Sequence, residues 1–268
     1  MLIDQGMLLA LIMTASSLAV WMAGEMFWPR RTLTQPLIWR WSNNLSLAIT
    51  TGFLSHLATG LMVLAVSQSA ALLRIGLFSD QQDAFWLPLL VLLALSQLIS
   101  YLSHILFHHI RWLWAMHAVH HSDVDVDIST SYRHHPLEPL VFMPIVLPLI
   151  LFLSVPIAAA LTHQAIYIFL SVFSHSNVRL PQKLDNVLRL FVVTPDFHRV
   201  HHSSDVKFTN SNYGSIVPWY DYLFGTAKRW DFDEHEHRRL GLEYRREQSD
   251  SRLDKMLLAP LRKPKNNS

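Results

Sequence analysis

Long apolar runs alternate with short polar segments along the chain, and three of the runs have the length of a membrane helix. Met7–Trp28 is apolar except for Glu25, and a Pro-Arg-Arg segment follows it. Leu45–Leu64 is interrupted only by His56 and small hydroxyl residues, and the third run extends from Phe85 to about Leu106. Each run predicts a membrane-spanning helix. The first lacks a basic start and a small-residue cleavage site, so we interpret it as a retained helix and not a signal peptide.

A fourth apolar region, from Leu137 to about Ser174, is 38 residues long, which is enough for two helices that enter and return. We expect the bend between them near Thr162 and His163. Three prolines in this region predict kinks: Pro144, Pro148 and Pro156.

Composition agrees with a membrane protein, because 51% of the 268 residues are hydrophobic and only 16% are charged. The predicted fold is an all-α membrane bundle of about four to five helices with a cytoplasmic helical cap. We divide the chain into membrane helices (1–84), a histidine-rich region with further membrane helices (85–226) and a polar C-terminal tail (227–268).

The loop charges predict an orientation in the membrane. Arg30, Arg31 and Arg40 follow the first run, whereas only Asp4 precedes it, and more basic residues follow the third and fourth regions. Positive loops favour the cytoplasm, so we expect an external N-terminus, with the histidine-rich segments on the cytoplasmic side of the cell inner membrane. The C-terminal tail then becomes a cytoplasmic extension with a frayed end.

Several kinds of chemistry are excluded by composition. The net charge of +2, without a basic stripe, gives no indication of nucleic acid binding. The chain has no cysteine, which excludes disulfides, thiolate metal sites and a catalytic thiol. A G-x-S-x-G elbow is also missing, so serine hydrolysis has no support.

Histidines are concentrated in three patterned clusters, first at positions four apart and then twice in the order HxxHH. The eight residues are His104, His108, His117, His120, His121, His198, His201 and His202. On a helix, residues at i, i+3 and i+4 share a face, so each cluster can present its imidazoles together. Eight candidate ligands exceed the needs of one ion, and two metals are the economical number.

A lone histidine is usually an ordinary surface or core residue. We interpret five in this way: His56, His109, His163, His235 and His237. The eight clustered histidines lie near the ends of membrane runs, where ionisable groups are usually functional. A pH sensor would not require the repeated spacing. Imidazole suits zinc, copper, iron and nickel, so ligand type alone does not decide the metal.

The clusters and their surroundings resemble the fatty acid hydroxylase/sterol desaturase superfamily of membrane di-iron enzymes. The ordered set HxxxH, HxxHH, HxxHH is accompanied by the segments LWAMH, SYRHHPLE, SHSN, TPDFHRVHHS, NYG and DYLFGT. The similarity extends from about Leu92 to Thr226. One departure is Gln97, where the family often has an acidic residue.

The resemblance implies two iron ions held by the eight histidines, with O2 as co-substrate and His175 as a ninth ligand. His135, which follows Arg133 and His134, is implied as a ligand or as a supporting group. Asn212–Gly214 and Trp219–Thr226 are expected to close the site.

Three aspartates flank the clusters: Asp123, Asp196 and Asp205. Each is a candidate to accept the second imidazole N–H of a ligand, although a solvated acid near a helix end is an equally good interpretation.

The first functional hypothesis is an oxygenase that uses O2 and external electrons to hydroxylate or desaturate an unactivated C–H bond of a lipid. The chain has no flavin, nicotinamide or haem motif, so it needs a reductase, ferredoxin or cytochrome partner. Hydroxylation is slightly favoured, since it needs one hydrogen abstraction. Acyl chains, sterol-like lipids, carotenoids and ether lipids all remain open as substrates.

The alternative is a histidine-rich protein that binds or transports zinc without redox chemistry. Transporters place ligands near the bilayer midplane, whereas these clusters lie at the ends of membrane runs. A non-catalytic relative that keeps its metals for stability is a third hypothesis.

Overall fold

The computed structural model describes the backbone of residues 2–73, 76–81 and 83–262, and the side chains of these except residues 2–11 and 56–73. All regular secondary structure within these ranges is helical, which confirms the predicted all-α class. Bridges of the β type are limited there to two isolated ones, Pro29–Val178 and Ser203–Leu240. The α-helices are α1 (Leu2–Phe27), α2 (Leu37–Leu73), α3 (Trp86–His109), α4 (Arg111–His121), α5 (Leu137–Leu153), α6 (Ile157–His175), α7 (Gln182–Leu188), α8 (Pro195–His201), α9 (Val206–Thr209), α10 (Trp219–Phe224) and α11 (Leu253–Leu257). Short 3₁₀ turns lie at Ile128–Tyr132, Phe232–Glu236, Gln248–Ser251 and Ala259–Leu261.

Each predicted apolar run forms a helix, and two helices of the described chain are long and apolar enough to cross a membrane. These two are α3 and α6. Ile12–Phe27 of α1 and the whole of α5 are apolar but shorter. Large apolar side chains also face outward, including Met26 and Phe27 on α1, which are 71% and 70% exposed. Such surfaces suit contact with lipid.

The fourth apolar region does form two helices, but the predicted bend near Thr162 and His163 is wrong. The chain turns between α5 and α6, where Ser154 adopts the left-handed conformation with φ 46°. Pro156, two residues later, has no N–H to continue a helix, and it restricts Val155 as well. Thr162 instead lies inside α6, where its hydroxyl donates to the Ala158 carbonyl.

Buried ion pairs tie α1 and α2 to the segments around the histidines. The Arg40 side chain, 0% exposed, donates to the carboxylates of Asp123 (3.0 Å) and Asp127 (2.6 Å). Arg30 likewise pairs with Asp196 at 3.2 Å. Because a buried guanidinium without a counter-charge is costly, these contacts determine how the helix ends assemble.

The C-terminal tail packs across the helices as far as the structure describes it. Met256 and Ala259 are buried in one apolar cluster with Leu47 of α2 and Val119 of α4. Tail residues therefore cover the back of a histidine-bearing helix. The predicted frayed end, residues 263–268, lies outside the described residues.

Candidate metal centre

Four helices carry the clustered histidines toward one another. α3 ends at His109, and Ile110, with φ −95° and ψ 116°, redirects the chain into α4. α8 begins with Thr194, whose hydroxyl accepts from the Phe197 N–H, and with Pro195 in its first turn. These local signals position both HxxHH clusters on short helices, and His175 completes the set from the end of α6.

Group A contains five histidines, each of which offers one ring nitrogen, and these five nitrogens all lie within 4.8 Å of one another. Its members are His104, His108, His117, His121 and His201. The Nε2 atom of His104 is 3.0 Å from that of His117 and 3.0 Å from that of His201.

Group B contains four histidines that meet the same 4.8 Å limit: His120, His175, His198 and His202. The Nε2 atom of His175 is 3.2 Å from that of His120 and 3.0 Å from that of His198. His202 and His198 are 3.2 Å apart at the same atoms.

Each HxxHH cluster is divided between the two groups, which differs from the prediction of one shared face per cluster. α4 contributes His117 and His121 to group A but His120 to group B. α8 does the reverse: His198 and His202 join group B, whereas His201 joins group A. Residues four apart stay together because they lie almost directly above one another, whereas the intervening residue is turned toward the neighbouring group.

The residues present fit two metal ions. With metal–nitrogen bonds of about 2.1 Å, two imidazoles on one ion place their nitrogens about 3.0–3.4 Å apart, a range that includes the Nε2–Nε2 distances given above. Among the described residues, several buried ring nitrogens also have no hydrogen-bond partner, including Nε2 of His108 and both nitrogens of His121. Buried polar atoms of this kind are costly when unpaired, and a bound ion would satisfy them.

Burial keeps five imidazoles of the two HxxHH clusters neutral. It is the main reason why the pKa values of His120, His121, His198, His201 and His202 lie well below the ordinary value, and neighbouring imidazoles lower them further. Neutral imidazole has a free lone pair, so the site is prepared for metal without first losing protons.

Backbone and side-chain oxygens hold most of the rings in group A. The acceptors for the Nδ1 atoms of His104, His108, His117 and His201 are the Tyr213 carbonyl, the Asn210 amide oxygen, the Glu138 carboxylate and the Ser211 carbonyl. In group B, His175 Nδ1 donates to the Ser171 carbonyl at 2.8 Å. Such partners orient metal-binding imidazoles.

None of the candidate aspartates Asp123, Asp196 and Asp205 is the acceptor for an imidazole of group A or B among the described contacts. Asp123 and Asp196 pair instead with the buried arginines Arg40 and Arg30. Asp205 accepts from the Lys207 N–H at the start of α9. Asp123 and Asp196 lie within three residues of a histidine in sequence, but each forms an ion pair with a buried arginine from a distant segment.

Sequence reasoning missed Glu138 as the carboxylate of the site, although the SYRHHPLE segment contained it. Its Oε2 atom accepts from His117 Nδ1 at 3.0 Å and from His134 Nδ1 at 3.2 Å. The His134 ring stacks on His120 with centroids 4.5 Å apart and an angle of 11°.

His135 lies outside both groups. Its Nδ1 accepts from the Leu137 N–H and its Nε2 donates to the Leu257 carbonyl, so neither nitrogen is free for a metal. The structure thus connects His135 to the C-terminal tail.

The other histidines whose side chains the structure describes also lie outside the two groups. His163 contacts the Ser96 hydroxyl, and His235 lies 3.6 Å from the Asp196 carboxylate. His109 is 3.3 Å from the Tyr213 hydroxyl, and His237 is exposed. The side chain of His56 lies outside the described residues. Gln97 is buried, and its Oε1 atom has no partner in the described part of the chain.

The NYG and DYLFGT segments cover one side of group A. The Asp221 carboxylate accepts the N–H groups of Tyr213 and Gly214, both at 2.8 Å. The Tyr213 ring lies over His104 and His108, with centroids 5.6 and 5.2 Å away. A side chain on Gly214 would collide with the Val217 carbonyl 2.4 Å away, so this turn needs glycine.

A cavity of about 260 Å³ adjoins both groups. Histidines of both groups line it, and its other walls come mainly from α3, α5 and α6. The apolar and aromatic part of the lining consists of Phe107, Pro139, Phe142 and Tyr167. One small molecule or chain segment in this cavity would face both histidine groups.

The fold and the site together define a helical protein with outward-facing apolar helices and two adjacent histidine groups that can hold metal ions beside an apolar cavity. The chain belongs to the fatty acid hydroxylase family, which matches residues 89–226. This range includes all nine histidines of the two groups.

Several curated proteins are similar over this region. Human alkylglycerol monooxygenase is 30% identical over 128 residues, covering 47% of this chain and 27% of its own length. Ornithine lipid hydroxylase OlsE of Rhizobium tropici is 32% identical over 135 residues, covering 50% and 40%. Very-long-chain aldehyde decarbonylase GL1-6 of Oryza sativa subsp. indica is 30% identical over 142 residues, covering 50% and 22%. The matched region therefore spans less than half of each relative. No solved structure matches the chain.

Proposed function

We propose that the protein is a membrane-bound di-iron oxygenase that uses O2 and electrons from a partner to hydroxylate, or desaturate, a lipid. The observation that carries this proposal is the cavity lined jointly by groups A and B. When bound, an iron pair supplies oxygen activation and hydrogen removal from a C–H bond, which no side chain here can perform. Relatives named as a lipid hydroxylase and a monooxygenase support the same class of reaction.

The protein's own residues position the substrate and exclude water. The cavity lies among the apolar helices α3, α5 and α6, and α3 packs against both of the others, so we propose that a lipid enters from the bilayer. Phe107 and Phe142 offer apolar contacts to a chain, and neighbouring Ser100 and Ser103 offer hydroxyls to a polar group. The site lies at the polar end of the bundle, which we propose faces the cytoplasm of the inner membrane, within reach of a reductase, ferredoxin or cytochrome.

Metal content decides between this proposal and a zinc protein without redox chemistry. Full-length protein, purified in detergent from iron-supplemented cells, should contain about two iron ions per chain with a coupled Mössbauer signal. His120→Ala leaves three ligands in group B and should abolish the coupled signal. His237→Ala, which removes an exposed histidine outside both groups, should keep it. Zinc alone, in cells with abundant iron, would contradict the oxygenase.

The reaction requires a second measurement. Iron-loaded protein, O2 and a chemical or protein reductant are incubated with bacterial lipid extract, and the products are analysed by mass spectrometry. Gain of one oxygen atom identifies hydroxylation, and loss of two hydrogens identifies desaturation. Product formation without any added reductant would contradict the need for an electron-donating partner.

A further inference from the structure

Two further cavities lie where α1 ends and α2 begins, and neither shares a lining residue with the cavity beside the histidine groups. The larger one is polar, with a volume of about 620 Å³. Arg31, Arg239 and Arg246 line it together with Thr34 and Asp125. The proposed reaction does not use any of these residues.

The polar cavity has more positive than negative charge. Within the described part of the chain, no carboxylate lies at ion-pair distance from any of its three arginines. The Asp125 carboxylate is occupied by the N–H groups of Thr34 and Gln35, at 2.8 and 2.7 Å. The lining therefore carries three guanidinium groups and one carboxylate that already has partners. Glu236 and Glu243, outside the lining, offset part of the charge of Arg31 and Arg246. The remaining excess of positive charge favours an anion in the cavity.

Two of the arginines are held in place by the backbone. Arg31 Nη1 donates to the carbonyls of His235 and Arg238, each at 2.7 Å. Arg246 Nη1 donates to the carbonyls of Leu240 (2.8 Å) and Leu242 (2.6 Å). These bonds order the side chains before any ligand arrives, which reduces the entropy lost on binding.

The arginines also raise the local positive potential. Burial, followed by the charge of Arg239, lowers the pKa of Arg246. Burial and the nearby Arg199 lower the pKa of Arg31 to about 10. An anion among these groups would offset both effects, and the planar guanidinium matches phosphate oxygens in geometry.

An apolar cavity of about 390 Å³ lies next to the polar cavity, and Arg31 lines both cavities. Its lining includes Met22 and Met26 of α1 and Leu37 and Ile38 of α2. Met26 is 71% exposed and Ile38 is 84% exposed, so both can contact a lipid chain. An arginine cluster therefore lies at the end of an apolar groove between two helices.

We propose that the junction of α1 and α2 binds an anionic phospholipid. The phosphate lies among Arg31, Arg239 and Arg246, and an acyl chain lies along Met26 and Ile38. Basic pockets beside apolar helix surfaces are typical of sites for acidic lipid headgroups. A soluble phosphate compound shares the headgroup chemistry but leaves the apolar cavity unused.

Occupancy of this site should stabilise the segment behind group B. The Ser204 N–H donates to the Arg239 carbonyl at 2.9 Å, and the Gly241 N–H donates to the His202 carbonyl at 3.0 Å. Residues 239–241 thus connect the arginine cluster to the end of α8. A bound lipid will raise the thermal unfolding temperature, because it binds the folded state alone.

The test uses the full-length protein in neutral detergent with phosphatidylglycerol, phosphatidylcholine or glycerol 3-phosphate as the probe. Native mass spectrometry measures binding, and the unfolding temperature gives an independent measurement. Phosphatidylglycerol should bind and stabilise more than phosphatidylcholine. Arg239→Gln, which removes an exposed side chain and leaves the backbone contact, should weaken this binding about tenfold. The matched control Arg229→Gln, an exposed arginine outside both cavities, should leave it unchanged.

Two further variants measure what the apolar cavity and the histidine groups contribute to lipid binding. Ile38→Asn should weaken phosphatidylglycerol binding by disrupting the apolar contact, and His202→Ala should keep it, since the site does not depend on the metals. Equal binding by the Arg239→Gln and Arg229→Gln proteins would overturn the site. Binding of glycerol 3-phosphate as tight as that of the lipid would overturn the phospholipid as its occupant.

Discussion

Groups A and B share α4 and α8, with α3 added in group A and α6 in group B, and they are almost equally buried, but their rings are held by different contacts. In group A, four of the five Nδ1 atoms have oxygen acceptors from outside the cluster. In group B, the Nδ1 atoms of His120, His198 and His202 have no partner among the described residues. Stacking between rings supports these imidazoles in place of hydrogen bonds. His202 stacks against His121 with centroids 4.7 Å apart, and His120 stacks on His134.

This difference predicts unequal metal sites. Hydrogen bonds from the second nitrogen orient an imidazole and increase its basicity, and group A has more of them. Group A also has one histidine more than group B. We therefore expect group A to hold its ion more tightly, and group B to be the site that loses or exchanges metal first.

The largest expected effect comes from removing one ligand in each group. His202→Ala leaves three histidines in group B and should reduce the metal content from about two ions to about one per chain. His108→Ala leaves four in group A, so that both ions should remain when metal is in excess. Elemental analysis of both purified variants, beside the parent protein, measures the difference. Equal losses in the two variants would contradict unequal sites.

The carboxylate of Glu138 should account for part of the advantage of group A. Glu138→Gln keeps a hydrogen-bond acceptor for His117 but removes the charge, and we expect about 10- to 100-fold weaker metal binding in group A. Competition with a chelator of known affinity gives the number. Glu243→Gln, which changes an exposed carboxylate outside both groups, is the control. A loss confined to group B would reverse the assignment.

Acid should destabilise the metal-free protein through five buried histidines whose pKa values are lowered mainly by burial: His120, His121, His198, His201 and His202. The unfolded chain binds protons below about pH 6.5, whereas the folded chain keeps these rings neutral to lower pH. The stabilisation is fully present above that pH and is lost as the pH falls toward the lowered pKa values, by about 1.4 kcal/mol per pH unit and histidine.

One variant tests whether His198 contributes to the pH dependence of the free energy of unfolding. Denaturant unfolding of chelator-treated protein at several pH values should give a shallower slope for His198→Gln, because its pKa is lowered by burial and by His175 and His202. Identical slopes for this variant and the parent protein would show that His198 is not kept neutral by the fold.

The smallest effect should come from the ring that stacks on group B. His134→Ala removes the contact with His120 and should weaken metal binding in group B by about 1 kcal/mol, or roughly fivefold. His134→Phe restores a flat ring without the hydrogen bond to Glu138 and should recover most of that loss. If both variants behave alike, the hydrogen bond matters and the stacking does not.

Much of the site could be predicted from the sequence because its signals are local. The spacing of His104 and His108, and of the two HxxHH clusters, predicted eight of the nine histidines, whereas His175 was implied only by the family resemblance. Apolar length identified the four long regions. Pro156 was a local signal for a kink, but Pro144 and Pro148 carried the same signal inside α5, so the prolines alone did not locate the turn at Ser154.

The contacts around the site could not be predicted, because they join distant segments. Asp123 is 83 residues from Arg40, and Arg30 is 166 residues from Asp196. From the sequence, these aspartates were reasonable hydrogen-bond partners for the neighbouring histidines. In the folded protein, buried arginines from distant segments pair with them instead. Glu138 became the partner of His117 because α5 starts beside α4.

The sequence by itself determined the chemical components: apolar runs of membrane length, the absence of thiols, and histidines at the spacing of helix turns. Only the tertiary structure decided the division into groups of five and four, the oxygen acceptors that hold group A, and the arginine cluster beside the apolar groove. Spacing along one helix follows from 3.6 residues per turn, whereas contacts between helices depend on where burial of charge and apolar surface places each helix.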